Sequence, residues 1–344
     1  MRITLVHSAA LGDTVLLVPL LRALRAGATG GNSGVMGRGS GTSCHISVVM
    51  RPAFGQLLVH WGLAEVAHSA DDPTHTRWFA PGSPSDIERS HEVLPWAKCD
   101  LLVSGVSTGA DAWSEHARAA LRANPEGRLI CFEPRPPTGY RGHVSAFHRE
   151  QLAAAGVRLA EPDRKNAAGL PSRDRGIATI APGNSNDVPA QRRGPVFIHP
   201  GSGGVAKCWP LNGFVAVGRR LRGCGRPVRF VLGEAELERW SAADLGNLAA
   251  EFEVWRQPDL LELADVLAGA SGYLGNDSGV THLAAATGVP TLALFGPSDP
   301  VQWRPLGPHV RVLQAPMPER MASLTVEAVR AALLDSDLRE DGSA

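Results

Sequence analysis

The sequence predicts an α/β protein made of two tandem αβα halves, each built around a parallel sheet. Short apolar runs alternate with segments of helical spacing along the chain of 344 residues. Such alternation is typical of parallel strands that are covered by helices on both faces. The pattern of strand, loop and helix at residues 3–24 also recurs at residues 195–221. At roughly 150 residues per domain, the length itself favours two domains.

The first half starts with the apolar run 3–6, which predicts a strand that ends in the loop 8–13. The next helix is predicted from apolar residues with helical spacing, namely Val15, Leu16, Leu20, Leu21 and Leu24. Further strands are predicted at 46–50, 101–103 and 129–132, and a helix from Phe54, Leu57, Leu58 and Trp61. Residues 27–43 are rich in Gly and Ser and are predicted to form a flexible loop.

The second half shows the same pattern more completely. Strands are predicted at 195–198, 228–232, 273–275, 291–295 and 310–313, and helices at 211–221, 260–268, 283–286 and 325–334. The polar stretch 161–194 precedes this half, so a domain boundary is expected at its end. We therefore predict domains at 1–180 and 195–322, with a C-terminal helix at 323–335.

Composition and charge exclude several classes of protein. Lys and Arg together number 34, as do Asp and Glu, so the chain has no net positive charge that would attract nucleic acid or an anionic membrane. The five cysteines are widely spaced and form no C-x-x-C motif, which favours a reducing compartment over a disulfide scaffold or a zinc site. The sequence carries no signal-peptide pattern and no apolar stretch of about 20 residues. A cytoplasmic protein, at most peripheral to a membrane, is expected.

The loop 199–209 is the first candidate site. Gly201, Gly203 and Gly204 follow a predicted strand and precede a predicted helix, where glycines let the backbone approach an anion closely. Lys207, one of only three lysines, lies three residues further on and suits a phosphate. The alternative is that these glycines only form turns, since neither the G-x-G-x-x-G nor the G-x-x-x-x-G-K-[ST] spacing is met. The lysine favours phosphate binding.

The loop 275–282 is the second candidate. Asp277 or Ser278 alone is explained equally well as the N-cap of the next helix. Both loops, however, follow strands of one predicted sheet, and open α/β sheets bind ligands at the carboxyl ends of their strands. Asp13, in the first half, is by itself also interpreted as an N-cap. It gains a chemical role only if a transferase needs a base on the acceptor side.

Four stretches carry a resemblance to a known family. They are Ala-Leu-Gly-Asp-Thr followed by Pro-Leu-Leu-Arg-Ala-Leu (10–24), His-Pro-Gly-Ser-Gly-Gly…Lys-Cys-Trp-Pro (199–210), Gly-Asn-Asp-Ser-Gly-Val-Thr-His-Leu-Ala-Ala (275–285) and Leu-Phe-Gly-Pro-Ser-Asp-Pro…Trp-Arg-Pro-Leu-Gly-Pro (294–308). Together they resemble glycosyltransferase family 9, the heptosyltransferase family of lipopolysaccharide core assembly. The resemblance covers both ends of the chain and the whole C-terminal half, and it is weak between about residues 70 and 190.

The resemblance implies a GT-B fold, with two Rossmann-like domains facing across a cleft. The acceptor domain comes first and the nucleotide-sugar domain second, and the final helix often packs back on the first domain. Members of this family invert the anomeric configuration without a metal. Metal independence is therefore expected here.

The resemblance also implies roles for individual residues. Asp13 matches the proposed general base, Lys207 the lysine on the donor diphosphate, and Asp277 an aspartate that contacts the donor sugar. The remaining donor-binding residues it implies are Ser202, Gly203 and Gly204, the diphosphate amides of Ser278 and Gly279, and His282 near the transferred sugar. Glu234 and Glu236 compete for the ribose, and spacing favours Glu236. The adenine pocket is expected near residues 255–260.

The expected function is transfer of heptose from ADP-heptose onto a hydroxyl of a lipopolysaccharide-core or related glycan. No cofactor beyond the nucleotide sugar is expected. The protein is expected to be a cytoplasmic monomer, and peripheral association with the inner membrane is compatible with this expectation. Two alternatives stay open at this point: a sugar-nucleotide 2-epimerase of the same fold, and a non-catalytic nucleotide-sugar binding protein. Asp13 argues against the second, since a binding protein needs no acceptor-side base.

Overall fold

The computed structural model describes residues 1–29, 43–80, 98–122, 124–161 and 194–337. The chain forms two compact units, Met1–Asp163 and Arg164–Ala344. Most of the predicted loop 27–43 and nearly all of the polar stretch 161–194 lie outside the described residues. The predicted domain boundary falls in the second of these stretches, so its position stays a prediction.

The first unit contains a parallel sheet of five strands. These are β1 (Arg2–Val6), β2 (His45–Met50), β3 (Val66–Ser69), β4 (Leu101–Ser104) and β5 (Arg128–Cys131). Their order is β3-β2-β1-β4-β5, which places β1 in the centre with Ile3 beside Ile46 and Leu101. Because β1 is covered on both faces, its residues from Ile3 onward are buried, as the continuous apolar run predicts.

Among the described residues, six helices accompany this sheet. They are α1 (Leu11–Leu16), α2 (Val18–Thr29), α3 (Pro52–His60), α4 (Pro73–Thr76), α5 (Ala112–Leu121) and α6 (Val144–Ala154), and a 3-10 turn at Arg77–Phe79 follows α4. The Trp78 ring contacts the rings of Trp113 and His116, which both belong to α5. Trp78 thereby packs against the apolar side of this helix.

The second unit contains a parallel sheet of six strands. These are β6 (Val196–His199), β7 (Val228–Leu232), β8 (Glu253–Arg256), β9 (Gly272–Asn276), β10 (Thr291–Phe295) and β11 (Val310–Gln314). Their order is β11-β10-β9-β6-β7-β8, so β9 and β6 are the two central strands. The α/β fold with two parallel sheets, predicted from the sequence, is therefore confirmed.

The helices of the second unit are α7 (Leu211–Gly223), α8 (Glu234–Arg239), α9 (Ala242–Glu251), α10 (Leu260–Ala268), α11 (Gly279–Thr287), α12 (Pro300–Trp303) and α13 (Val326–Asp337). Along α7 the buried residues recur with helical spacing, at Gly213, Phe214, Val217, Gly218 and Leu221. The final helix α13 contacts α7 and β11 of its own unit, and its Val329 is fully buried there. Packing of this helix on the first unit stays a prediction. Within the described part of the chain, no helix is long and apolar enough to cross a membrane.

Candidate functional site

The candidate site of the second unit is formed by two loops that leave the carboxyl ends of the central strands β6 and β9. Asn276, the last residue of β9, is fully buried and ties the loops together. Its Nδ2 donates to the Pro200 carbonyl at 2.8 Å, and its Oδ1 accepts from the Trp209 amide at 3.0 Å. The Ser202 hydroxyl adds a further link by donating to the Asp277 carbonyl at 2.7 Å. The two loops predicted to converge are therefore in direct contact.

Lys207 and Asp277 face each other across these loops. Lys207 Nζ lies 2.7 Å from Asp277 Oδ2; the lysine side chain is 38% exposed and the aspartate side chain only 7%. Burial alone would raise the pKa of the Asp277 carboxyl. Favourable contacts with His282, Lys207 and Ser298 outweigh burial and lower the pKa to about 2. Asp277 is therefore a fixed anion, and Lys207 is a cation with one side open to solvent.

His282 lies on the buried side of the same carboxylate. Its Nε2 is 3.9 Å from Asp277 Oδ1, and its side chain is 5% exposed. Its Nδ1 is buried and has no hydrogen-bond partner among the described residues. The structure thus brings three predicted donor-site residues, Lys207, Asp277 and His282, into one cluster.

Ser278 and Gly279 start helix α11 directly beside this cluster. Ser278 is the N-cap, and its Oγ accepts from the Thr281 amide at 3.4 Å. The N-cap interpretation is therefore confirmed for Ser278, whereas Asp277 pairs with Lys207 instead. The first amides of a helix are free donors and carry partial positive charge, so this end of α11 suits an anion.

Gly203 and Gly204 present open backbone on the neighbouring loop. A Cβ built on Gly203 would meet no atom within 4 Å, and Gly203 is exposed. Arg239 of α8 fixes this loop, because its guanidinium donates to the carbonyls of Ser202 and Gly203, both at 3.0 Å. Two loop carbonyls are thereby satisfied from one side, which leaves the opposite side of the loop accessible.

The two competing glutamates differ sharply in their surroundings. Glu234 is exposed, whereas Glu236 is 3% exposed and points into the loops. Glu236 Oε2 accepts from the Gly233 amide at 2.7 Å and lies 3.5 Å from His199 Nε2. Burial alone would raise the pKa of the Glu236 carboxyl, but bonds from His199 and the Gly233 amide lower it below its usual range. The burial supports the preference for Glu236, while its contact with a ribose stays a prediction.

Asp13 belongs to the first unit, where it lies in the first turn of α1 and is partly buried. The N-cap of this helix is Ala10, which supplies no side-chain cap. The N-cap interpretation of Asp13 is therefore wrong, because Asp13 stands three residues beyond the cap position. The same unit contains two buried histidines: His7, which follows β1, stacks on Phe132, and His148 of α6 packs edge-on against the same phenyl ring. Burial lowers the pKa of His148 below its usual value, and the hydrogen bond with the Pro134 carbonyl and the charge of Asp13 offset this only in part.

The sequence reasoning missed three residues that build the donor site: Asn276, Arg239 and His199. Asn276 could have been found, since it stands inside the motif 275–282 next to a predicted ligand. His199 could have been found too, since it opens the loop 199–209, whereas Arg239 could not, because it stands outside both motifs. Within the described ranges, no three His, Cys, Asp or Glu side chains cluster as a metal site would require. What the described residues offer is one open ammonium, two glycine-bearing loops and a helix N-terminus, which together suit a phosphate ester.

The comparisons with known proteins agree with this chemistry. The model of glycosyltransferase family 9 (heptosyltransferase) matches residues 149–328, just over half of the chain. A segment of 109 residues, 30% of this chain, is 42% identical to lipopolysaccharide heptosyltransferase 1 of Pseudomonas aeruginosa. This match spans 29% of that relative, so the chain covers less than a third of the curated protein's length.

Two solved structures share the fold over the full chain. Escherichia coli heptosyltransferase WaaC with ADP superimposes with a TM-score of 0.66 at 20% identity, covering 98% of this chain and 100% of that one. The same enzyme with ADP-2-deoxy-2-fluoro heptose gives 0.64 at 20% identity, covering 97% and 99%. At these identities the likeness establishes the fold, two Rossmann-like domains, while the family assignment rests on the sequence match. On that match, this chain belongs to glycosyltransferase family 9.

Proposed function

We propose that this protein is a heptosyltransferase that moves heptose from ADP-heptose onto a hydroxyl of a lipopolysaccharide-core or related glycan. The observation that carries the proposal is the pairing of Lys207 with Asp277 at the N-terminus of α11. The relatives named above support the choice of sugar and nucleotide, since one is a lipopolysaccharide heptosyltransferase and the solved enzyme was captured with ADP and with an ADP-heptose analogue.

The second unit would bind the donor and stabilise the leaving diphosphate. Lys207 would neutralise part of the charge, and the amides of Ser278, Gly279 and the 203–204 loop would donate to the phosphate oxygens. Fixed donors and helix ends in a partly buried site stabilise developing charge without reorganising. Asp277 and His282 would face the transferred sugar, and Glu236 the ribose. No metal is needed in this scheme.

The first unit would supply the base. An acceptor hydroxyl attacks the anomeric carbon, and a new C–O bond forms as the bond between that carbon and the phosphate oxygen breaks. The hydroxyl proton passes to the Asp13 carboxylate, ADP leaves with the electron pair, and the anomeric configuration is inverted. A positioned general base contributes about 10²–10⁴-fold to such a step. The partial burial of Asp13 and its lack of a capping role support this assignment.

We place this reaction in the cytoplasm, at or near the inner face of the membrane that holds lipid-linked acceptors, and we expect a monomer. The wide spacing of the cysteines, which favours a reducing compartment, and the family assignment support this location. Vesicle flotation and analytical ultracentrifugation test them separately from the chemistry.

The test of the proposed function combines binding with turnover. Calorimetry should show that ADP binds more tightly than UDP or GDP. Incubation with ADP-heptose and a heptose-deficient lipopolysaccharide core should then release ADP and add one heptose to the acceptor, as measured by mass spectrometry. An epimerase or a binding protein would leave the acceptor mass unchanged, and equal affinity for UDP would contradict the assigned donor.

A further inference from the structure

Arg239 binds two consecutive backbone carbonyls of the glycine-bearing loop that follows β6. Its Nη1 donates to the Ser202 carbonyl and its Nη2 to the Gly203 carbonyl, both at 3.0 Å. Arg239 is the last residue of α8 and stands 36 residues beyond Gly203 in the chain. Because the guanidinium is a planar fork with donors at a fixed separation, it holds both carbonyls in one orientation. The contact therefore fixes two successive peptide planes.

The orientation of these carbonyls determines that of the next two amides. Both peptide bonds are trans, so each N–H points away from the C=O of the residue before it. Since the carbonyls of Ser202 and Gly203 face Arg239, the amides of Gly203 and Gly204 point to the opposite side of the loop. Among the described residues, no group accepts a hydrogen bond from either amide. The two amides are thus donors that the fold itself leaves available.

The same helix holds the loop at a second point. Glu236, one helical turn before Arg239, is buried against Gly201, where a Cβ would overlap its carboxylate. The far end of the loop is fixed by the Gly204 carbonyl, which accepts from the Lys207 amide at 3.0 Å. The two amides are therefore oriented before any ligand arrives, and donors that are oriented in advance bind without the cost of ordering the loop.

We propose that Arg239 is a positioning residue of the donor site, which turns the amides of Gly203 and Gly204 toward the diphosphate of the donor. Successive amides that point to one side of a loop form a concavity suited to an anion. Arg239 acts through the two peptide groups, because its guanidinium lies on the carbonyl side of them. That the anion is a diphosphate rests on the proposed function, whereas the direction of the amides does not.

Calorimetric titration with ADP and with adenosine tests the role of Arg239. Arg239→Ala should weaken ADP about five- to tenfold, the scale of one or two lost hydrogen bonds, and leave adenosine affinity unchanged, since adenosine carries no phosphate. Arg239→Lys should restore part of the loss, because an ammonium lacks the planar fork. The matched control is Arg222→Ala, which also removes a guanidinium bonded to a backbone carbonyl, that of Glu251. Glu251 precedes the amino end of β8, at the sheet edge opposite the donor loops, so this variant should bind ADP like the wild type.

Two results of this titration would overturn the positioning role. One is equal ADP affinity in Arg239→Ala and wild type. The other is a parallel loss of ADP and adenosine binding, which would show that the arginine only stabilises the unit as a whole.

A titration with inorganic pyrophosphate, followed by amide NMR, separates this inference from the proposed function. Pyrophosphate should shift the Gly203 and Gly204 amide signals of the wild type, and the shifts should be smaller in Arg239→Ala. A wild type that binds no ADP would overturn the proposed function, and the pyrophosphate titration would still decide the role of the amides. Unshifted signals of Gly203 and Gly204 in the wild type would overturn the inference itself.

Discussion

Lys207 Nζ lies 2.7 Å from Asp277 Oδ2, and this ion pair joins the two loops on which the proposed donor site depends. The partners are 70 residues apart in the chain and come from neighbouring central strands. The pair gives the site two properties at once. It holds the Lys207 ammonium close to the N-terminus of α11, and it keeps the Asp277 carboxylate ionised next to the place where a sugar phosphate would bind.

Replacing Lys207 should weaken donor binding. A charge-assisted hydrogen bond contributes about 1.5–3 kcal/mol, so Lys207→Ala should lower ADP affinity by about ten- to hundredfold and reduce turnover. Lys207→Arg should restore only part of the loss, because the planar guanidinium is larger and places its charge differently. Calorimetry with ADP measures both variants. An alanine variant with wild-type affinity would show that Lys207 is merely a surface residue.

Asp277→Asn should separate donor binding from transfer. The change keeps the shape of the side chain but removes a negative charge beside the diphosphate and releases Lys207 from its partner. ADP should therefore bind at least as tightly as in the wild type, while transfer of heptose falls because the proposed contact with the sugar is lost. Calorimetry measures the ADP affinity, and a turnover assay measures the rate of heptose transfer. A variant that loses ADP binding but keeps its catalytic rate would contradict this division of roles.

Gly201 cannot carry a side chain without displacing Glu236. A Cβ built on Gly201 would overlap the Glu236 carboxylate, which is buried and held by the Gly233 amide. Gly201→Ala should therefore weaken ADP and lower the melting temperature. Gly246→Ala is the matched control, because a Cβ there meets nothing within 4 Å and lies in helix α9, where alanine is favoured. Equal ADP binding by the two variants would mean that the position of Glu236 does not matter to the nucleotide.

His7 should make the first unit sensitive to acid. Burial, and secondly the charge of His148, lower the pKa of His7 from 6.5 to about 4. Between these values the unfolded chain binds a proton that the folded chain does not, so the free energy of unfolding falls as the pH falls. The loss reaches up to about 3 kcal/mol at pH 4.

Urea unfolding between pH 7 and pH 4.5 checks this effect. His7→Gln should show a shallower fall in unfolding free energy than the wild type, whatever its stability at pH 7. The exposed His45→Gln serves as the control and should follow the wild-type slope. Parallel slopes for His7→Gln and wild type would mean that His7 titrates as it does in the unfolded chain.

The interior strands β1 and β10 could be predicted from the sequence, whereas two edge strands could not. The strands β1 and β10 are covered on both faces and therefore appear as continuous apolar runs. The missed strands β3 and β8 are outermost in their sheets, and their burial is only partial. A four-residue edge strand needs few apolar side chains, so its sequence resembles a loop.

The donor site was predictable where its residues stand in contiguous motifs, as Lys207 and Asp277 do. His199 opens the first of these motifs, but its role was missed because its partners, Glu236 and Ser278, lie 37 and 79 residues away. The cap of α1 was mispredicted for a related reason. Asp13 has the residue type of an N-cap, but the helix already begins at Leu11.

The turnover of Asp13→Asn tests the central claim most directly. Asparagine keeps nearly the same shape but cannot take the acceptor proton, so kcat should fall by about 10²–10⁴-fold. ADP affinity and the melting temperature should stay at their wild-type values, since the residue belongs to the first unit and makes no cap. A folded Asp13→Asn variant that transfers heptose with the wild-type kcat would contradict the account and leave the reaction without its base.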